Sequence, residues 1–208
     1  MLSLTLLLIA LFLVGTIVVA ERDAIKDEMV IQYASRNDVS GLARTVREGG
    51  SIDARDEKSG QTALMRAILS GQTSAVFYLL KHGARTDVAE KDGYTPMHAA
   101  AFQGRAEIVR MLIKHGLDPR EMHFDKYEPI FRACWGAESR HTETVKMFLE
   151  AGVPTNVVGG PAGKMTLKEA AKKNKMTVQL IERYAQREKE MKEKEIREKG
   201  EAPFQTEL

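Results

Sequence analysis

Hydrophobic positions fall into three regimes along the chain. From Leu4 to Val14 they run almost without interruption, and none of the first twenty residues carries a charged side chain. From about residue 28 to residue 185 they come in short bursts punctuated by glycine. From Gln186 to Lys199 only Met191 and Ile196 are apolar among nearly alternating acids and bases. The middle regime predicts helices. Ile108, Val109, Leu112 and Ile113 share one helix face, which places a helix from about Glu107 to Lys114. Ahead of it, Ala99-Ala100-Ala101 sit in a shorter helix, where small side chains let a neighbour approach closely.

The pattern recurs at a fixed interval. Gly50, Gly83 and Gly116 follow one another at 33 residues, as do Gly60 and Gly93, Thr62 and Thr95, Asp92 and Asp125, Tyr94 and Tyr127, and Pro96 and Pro129. So many matches at one period call for a solenoid of stacked units, none of which can bury its apolar face alone. Each unit also reads locally. Asp92-Gly93 marks a turn, because glycine reaches positive φ without steric cost. Thr95 is placed to cap the helix that follows, and Pro96 to open it, where a missing N–H costs nothing. Gly104 ends the short helix, and Gly116 closes the second.

These residues resemble the ankyrin repeat. The family's turn, Thr-Pro-Leu-His, paired alanines, glycine, Ile-Val and Leu-Leu stand here as Asp92-Gly93-Tyr94-Thr95-Pro96-Met97-His98-Ala99-Ala100, Gly104, Ile108-Val109 and Leu112-Ile113. The preceding unit carries Gly60-Gln61-Thr62-Ala63-Leu64-Met65 and Gly83; the following one carries Lys126-Tyr127-Glu128-Pro129-Ile130-Phe131 and Gly152. The resemblance implies an all-α ankyrin-repeat solenoid of about three full repeats plus degenerate capping repeats. Its units would cover about 28–55, 56–90, 91–122, 123–158 and 164–185. It also implies structural roles for Thr62, Thr95, Pro96 and the glycines named above, and for His98 as a hydrogen-bonding residue between turns and repeats. Three departures stand out. Ala63 replaces a proline, and Glu128 replaces a capping threonine. Gly116 to Gly152 is 36 residues, so this repeat carries three extra, expected as a longer inter-helix loop around Ala137–Arg140. The Pro- and Gly-rich stretch from Val153 to Gly163 reads as an irregular connection.

Partners of ankyrin domains, the resemblance implies, bind the concave face formed by turn tips and first helices. Leu69, Phe102 and Trp135 recur there at 33 residues, flanked by a row of Arg66, Ala99 and Arg132 and by Gln61, Tyr94 and Tyr127 on the turn tips. A ladder of Leu, Phe and Trp beside Arg and Tyr has the composition of a binding hot spot. The alternative is that Phe102 and Trp135 pack against neighbouring repeats.

The two ends frame this domain. Residues 1–20 read as a cleavable signal peptide, with the cut between Ala20 and Glu21 and the remainder delivered to the ER lumen or secreted. The alternative is an uncleaved anchor, since ~20 apolar residues span a bilayer as a helix. Arg22 and Lys26 would then hold the repeats on the cytosolic side. Residues 186–208 read as a charged helical tail, with Glu188–Lys192, Glu190–Lys194, Glu193–Arg197 and Glu195–Lys199 in the favourable i, i+4 orientation. The last four residues, Gln205-Thr206-Glu207-Leu208, match an ER-retrieval tail at two positions.

Composition narrows the function. A net charge of +2 gives no bulk electrostatic case for nucleic acid. The single cysteine, Cys134, cannot form an internal disulfide, and no His or Cys pair has metal-ligand spacing. Gly159-Gly160-Pro161-Ala162-Gly163-Lys164 lacks the spacing of a phosphate loop. The chain therefore reads as a monomeric, non-enzymatic interaction module for an unidentified protein, with no cofactor, no metal and no nucleic acid. It would touch a membrane only through residues 1–20. Two alternatives remain. One is a ligand-binding or catalytic protein on the same scaffold, centred on Glu138, Arg140 and His141; the other is a structural assembly subunit.

Overall fold

Helices follow one another in pairs. They are α1 (Leu2–Ser35) and α2 (Val39–Arg47), α3 (Ala63–Ser70) and α4 (Thr73–Lys81), α5 (Pro96–Phe102) and α6 (Ala106–Lys114), α7 (Pro129–Cys134) and α8 (Ser139–Glu150), α9 (Leu167–Ala170) and α10 (Lys175–Gly200). The computed structural model describes the backbone of residues 2–200 and the side chains of residue 16 and residues 18–199. These residues divide into two compact units. The first runs to Ala100 and includes Lys114–Leu117; the second comprises Ala101–Ile113 and the chain from Asp118 onward.

Among the described residues of the first unit, the last part of α1 enters a core. Val30 and Ala34 are buried with Leu42 of α2, Leu64 and Ile68 of α3, and Val76 and Leu79 of α4. The helix termini explain why these short segments hold. Thr62 accepts a hydrogen bond from the Met65 amide at 3.1 Å, which satisfies an orphan donor of α3. Helix α4 has no cap of its own. Asn37, in the left-handed region at φ 59°, reaches across from the α1–α2 turn and accepts from the Ala75 amide at 2.9 Å. Gly83, Gly116 and Gly152 all have positive φ, and a Cβ there would meet nothing within 4 Å. Glycine is needed for the backbone alone, as the period predicts.

The second unit buries Ile108 and Leu112 of α6, Ile130 and Phe131 of α7, Val145 and Phe148 of α8, Leu167 of α9, and Leu180 and Ile181 of α10. Asn174 joins three segments. Its amide donates to the carbonyls of Gly136 at 3.2 Å and Glu138 at 3.3 Å, and to Thr142 Oγ1 at 3.2 Å. Its own oxygen accepts from the Thr177 amide, capping α10. Helix α10 continues through residue 186 without a break, so the charged tail is an extension of the last repeat helix. Glu188 still touches the body, accepting from Thr155 Oγ1 at 2.6 Å; from Lys189 to Lys199 every side chain is exposed.

Two expectations are corrected. The three extra residues do not make a long loop. The segment between α7 and α8 is four residues, 135–138, against three, 103–105, between α5 and α6. The added length becomes helix, since α8 has 12 residues and α6 has 9. The added turn carries His141, whose Nε2 donates to the Phe102 carbonyl at 3.2 Å. That bond supplies a tertiary reason for the turn to be helical. The stretch from Val153 to Gly163 is also more ordered than its composition suggests. It enters a small antiparallel hairpin of β1 (Val158–Gly159) and β2 (Met165–Thr166), with Val158 opposite Thr166.

Candidate functional site

The site grows from the turn before α7. His123 N donates to the Tyr127 carbonyl at 3.2 Å and Lys126 N to the His123 carbonyl at 2.9 Å, which closes a tight finger. Lys126 occupies the position held by Gly60 and Gly93 in earlier fingers, and like them it has positive φ, at 64°. Inside the finger, Asp125 lies 2.9 Å from His123 Nδ1 and pairs with Arg132 from α7. Burial pushes the Asp125 carboxyl up, but hydrogen bonds from Arg132 and His123 outweigh it and hold the group below the usual carboxylate range. At the start of α7, Glu128 is buried without capping the helix; its carboxylate takes Arg120 at 2.9 Å.

Arg132 then orients two aromatic rings. Its guanidinium lies 4.6 Å from the Trp135 ring centre and 5.5 Å from that of Tyr127. Tyr127 and Trp135 meet nearly edge-on, 5.1 Å apart at 78°. The hairpin closes over Tyr127, whose hydroxyl lies 3.6 Å from Met165 Sδ. Glycines make this approach possible, because a Cβ on Gly159 would fall 2.7 Å from the Tyr127 ring and one on Gly160 2.6 Å from its hydroxyl oxygen. Between the rings and the hairpin lies an open cleft of about 620 Å³, also lined by Pro161, Lys164, Glu169, Lys172 and Lys173.

The expected binding residues divide between the two units. Tyr127, Arg132 and Trp135 come together as described. Arg132 does not flank the ladder from solvent as expected; it is buried, because the finger supplies Asp125 as its partner. Trp135 is half-buried against Tyr127, while Phe102, at the end of α5, is 56% exposed. In the first unit Arg66 is exposed and donates to Gln61 at 3.3 Å, and Gln61 donates to Glu90 at 2.6 Å. Tyr94 lies beside buried His98, whose Nδ1 is 3.0 Å from the Thr95 hydroxyl. Leu69 is half-buried.

Sequence reasoning missed Asp125 as a partner of Arg132, although it keeps the 33-residue step from Asp92. It also missed the lysines, since nothing in their spacing brings residues 164, 172 and 173 together with Trp135. The residues of the alternative site do not assemble. Glu138 and Arg140 pair with each other at the surface at 2.8 Å, and His141 turns inward. Cys134 is buried, and burial pushes its thiol well above the usual range.

Residues 30–123 match the family model of ankyrin repeats, in three copies. The chain folds as an all-α ankyrin-repeat solenoid. Beyond the matched segment two further helix pairs follow, α7–α8 and α9–α10. Ankyrin repeats are in general protein-interaction modules. No curated protein matches the chain. Among the residues whose side chains are described, no helix is long and apolar enough to cross a membrane, and no group of three or more His, Cys, Asp or Glu could hold a metal ion. The side chains of residues 2–15, which carry most of the proposed leader or anchor, and the 205–208 tail lie outside the described residues.

Proposed function

We propose that the chain is a non-enzymatic ankyrin-repeat adaptor that binds a protein partner through exposed and half-exposed aromatic residues of its first helices and fingers. The observation that carries this reading is Trp135. It is the chain's sole tryptophan, held between Arg132 and Tyr127 at the rim of an open cleft rather than sunk in the core. A part-exposed Trp backed by Arg and Tyr matches the composition of interface anchors. Phe102, more than half exposed, adds apolar surface in the same unit. The test is co-precipitation with wild-type bait and with the Trp135→Ala, Phe102→Ala variant, folding being checked by circular dichroism. Partners lost from a folded variant support the reading; unchanged partners refute it.

Delivery follows from the apolar N-terminus. A cleaved leader would place residues 21–208 in the secretory lumen. One feature favours the anchored alternative: α1 runs unbroken from Leu2 to Ser35, across the Ala20–Glu21 bond and into the first repeat. Mass spectrometry of the mature N-terminus separates the two. A start at Glu21 places the partner in the lumen, and an intact N-terminus in the membrane fraction makes the module membrane-held.

A further inference from the structure

The cleft beside Trp135 has a definite charge. Lys164 lies on the hairpin, and Lys172 and Lys173 follow α9; all three are exposed, and none takes part in an ion pair among the described residues. One acid lines the cleft, Glu169, and it is already engaged. Its carboxylate accepts from the Thr166 amide at 2.7 Å and hydroxyl at 2.9 Å, and these bonds hold it below the usual carboxylate range. Glu169 stays ionised and feels Lys172 beside it, so the cleft carries three cations against one acid, with the rings of Tyr127 and Trp135 also in its lining. The volume, about 620 Å³, falls within the range of ligand sites, but the cleft is open to solvent rather than enclosed. An open cleft leaves a small metabolite poorly enclosed and suits a peptide chain better.

We propose that this cleft binds an acidic peptide segment of the partner, with carboxylates toward Lys164, Lys172 and Lys173 and an apolar side chain against Trp135 and Tyr127. The proposal rests on the adaptor reading and deepens it by assigning the partner's chemistry. Opposite charge across the rim would chiefly raise the association rate and select against basic partners. The attraction would weaken with salt, because the lysines are exposed.

The sole tryptophan makes the test direct, since Trp emission reports only residue 135. Full-length chain is titrated with a short synthetic peptide of alternating Glu and Leu, and with its Lys–Leu and Gln–Leu counterparts. The proposal expects a saturable emission change with the Glu–Leu peptide that weakens with salt. Binding should fall by at least ~10-fold in the Lys164→Glu, Lys172→Glu, Lys173→Glu variant. It should also fall by at least ~10-fold for the Lys–Leu peptide on wild type. Equal binding of all three peptides, or of Glu–Leu to the variant, overturns the acidic preference while leaving the adaptor reading intact. No emission change with any peptide overturns this proposal; if co-precipitation is also insensitive to Trp135→Ala, Phe102→Ala, the adaptor reading falls with it.

Discussion

Gly136 and His141 form a contact that can be broken and mended. A Cβ added at Gly136 would fall 2.0 Å from His141 Cδ2 and 2.1 Å from Cγ. Comfortable carbon contacts begin near ~3.5 Å, so the imidazole would have to retreat by about 1.5 Å. Such a shift breaks its 3.2 Å bond to the Phe102 carbonyl. Overpacking of this kind costs about 1–3 kcal/mol, and a lost hydrogen bond to a buried group adds about 1 kcal/mol. Gly136→Ala should therefore destabilise by about 2–4 kcal/mol. His141→Ala should cost less, about 1–2 kcal/mol. It loses packing and the same bond, but it also removes a buried Nδ1 that has no hydrogen-bond partner. The double variant should then cost little more than His141→Ala alone, so that the coupling between these residues in contact approaches the cost of Gly136→Ala itself, about 2–4 kcal/mol. Urea unfolding followed by circular dichroism measures all three. If Gly136→Ala costs less than about 0.5 kcal/mol, or if the two costs simply add, steric demand of the ring is not what keeps position 136 glycine.

Three further outcomes are expected. Asn37→Ala should lower stability by about 1–2 kcal/mol, because it removes the cap on α4 and puts alanine at positive φ, whereas Asn37→Gly should lose only the cap; thermal melts compare them. Asp125 has a folded pKa below its unfolded value of about 3.9, so its contribution is present above that pH and fades as pH falls through the folded value; Asp125→Asn should flatten that acid-side loss in unfolding curves taken between neutral pH and strongly acidic pH. Cys134, buried and with its thiol raised by burial, should react with a thiol reagent only slowly in the native chain and promptly in urea, and prompt native reaction would contradict that burial.

The period of 33 made the repeat units legible, because glycines and prolines announce backbone requirements in their own residue type. The caps written in a repeat's own sequence, such as Thr62, were readable for the same reason. Asn37 was not. Its partner lies 38 residues away, and only the stacking of units brings the two together. The insertion was counted correctly but placed as loop, because the decisive contact, His141 with the Phe102 carbonyl, spans 39 residues. Arg132 shows the same limit. Its position in the repeat pointed outward, yet Asp125, seven residues earlier, captures it in the finger, and the cation ends beneath Trp135. Lys164 reaches the cleft on a hairpin whose composition resembled plain loop, and Lys172 and Lys173 reach it from beyond α9.

Helix α10 carries a consequence for solution work. From Lys189 to Gly200 it makes twelve residues of helix, exposed from Lys189 to Lys199, and at ~1.5 Å per residue that is an arm of roughly 18 Å. An arm adds drag far out of proportion to its mass. On a sizing column this 23.2 kDa chain should elute earlier than a spherical standard of equal mass, even as a single copy. Early elution would therefore be poor evidence for a dimer, and a mass from light scattering or sedimentation equilibrium, neither of which depends on friction, is the number to trust.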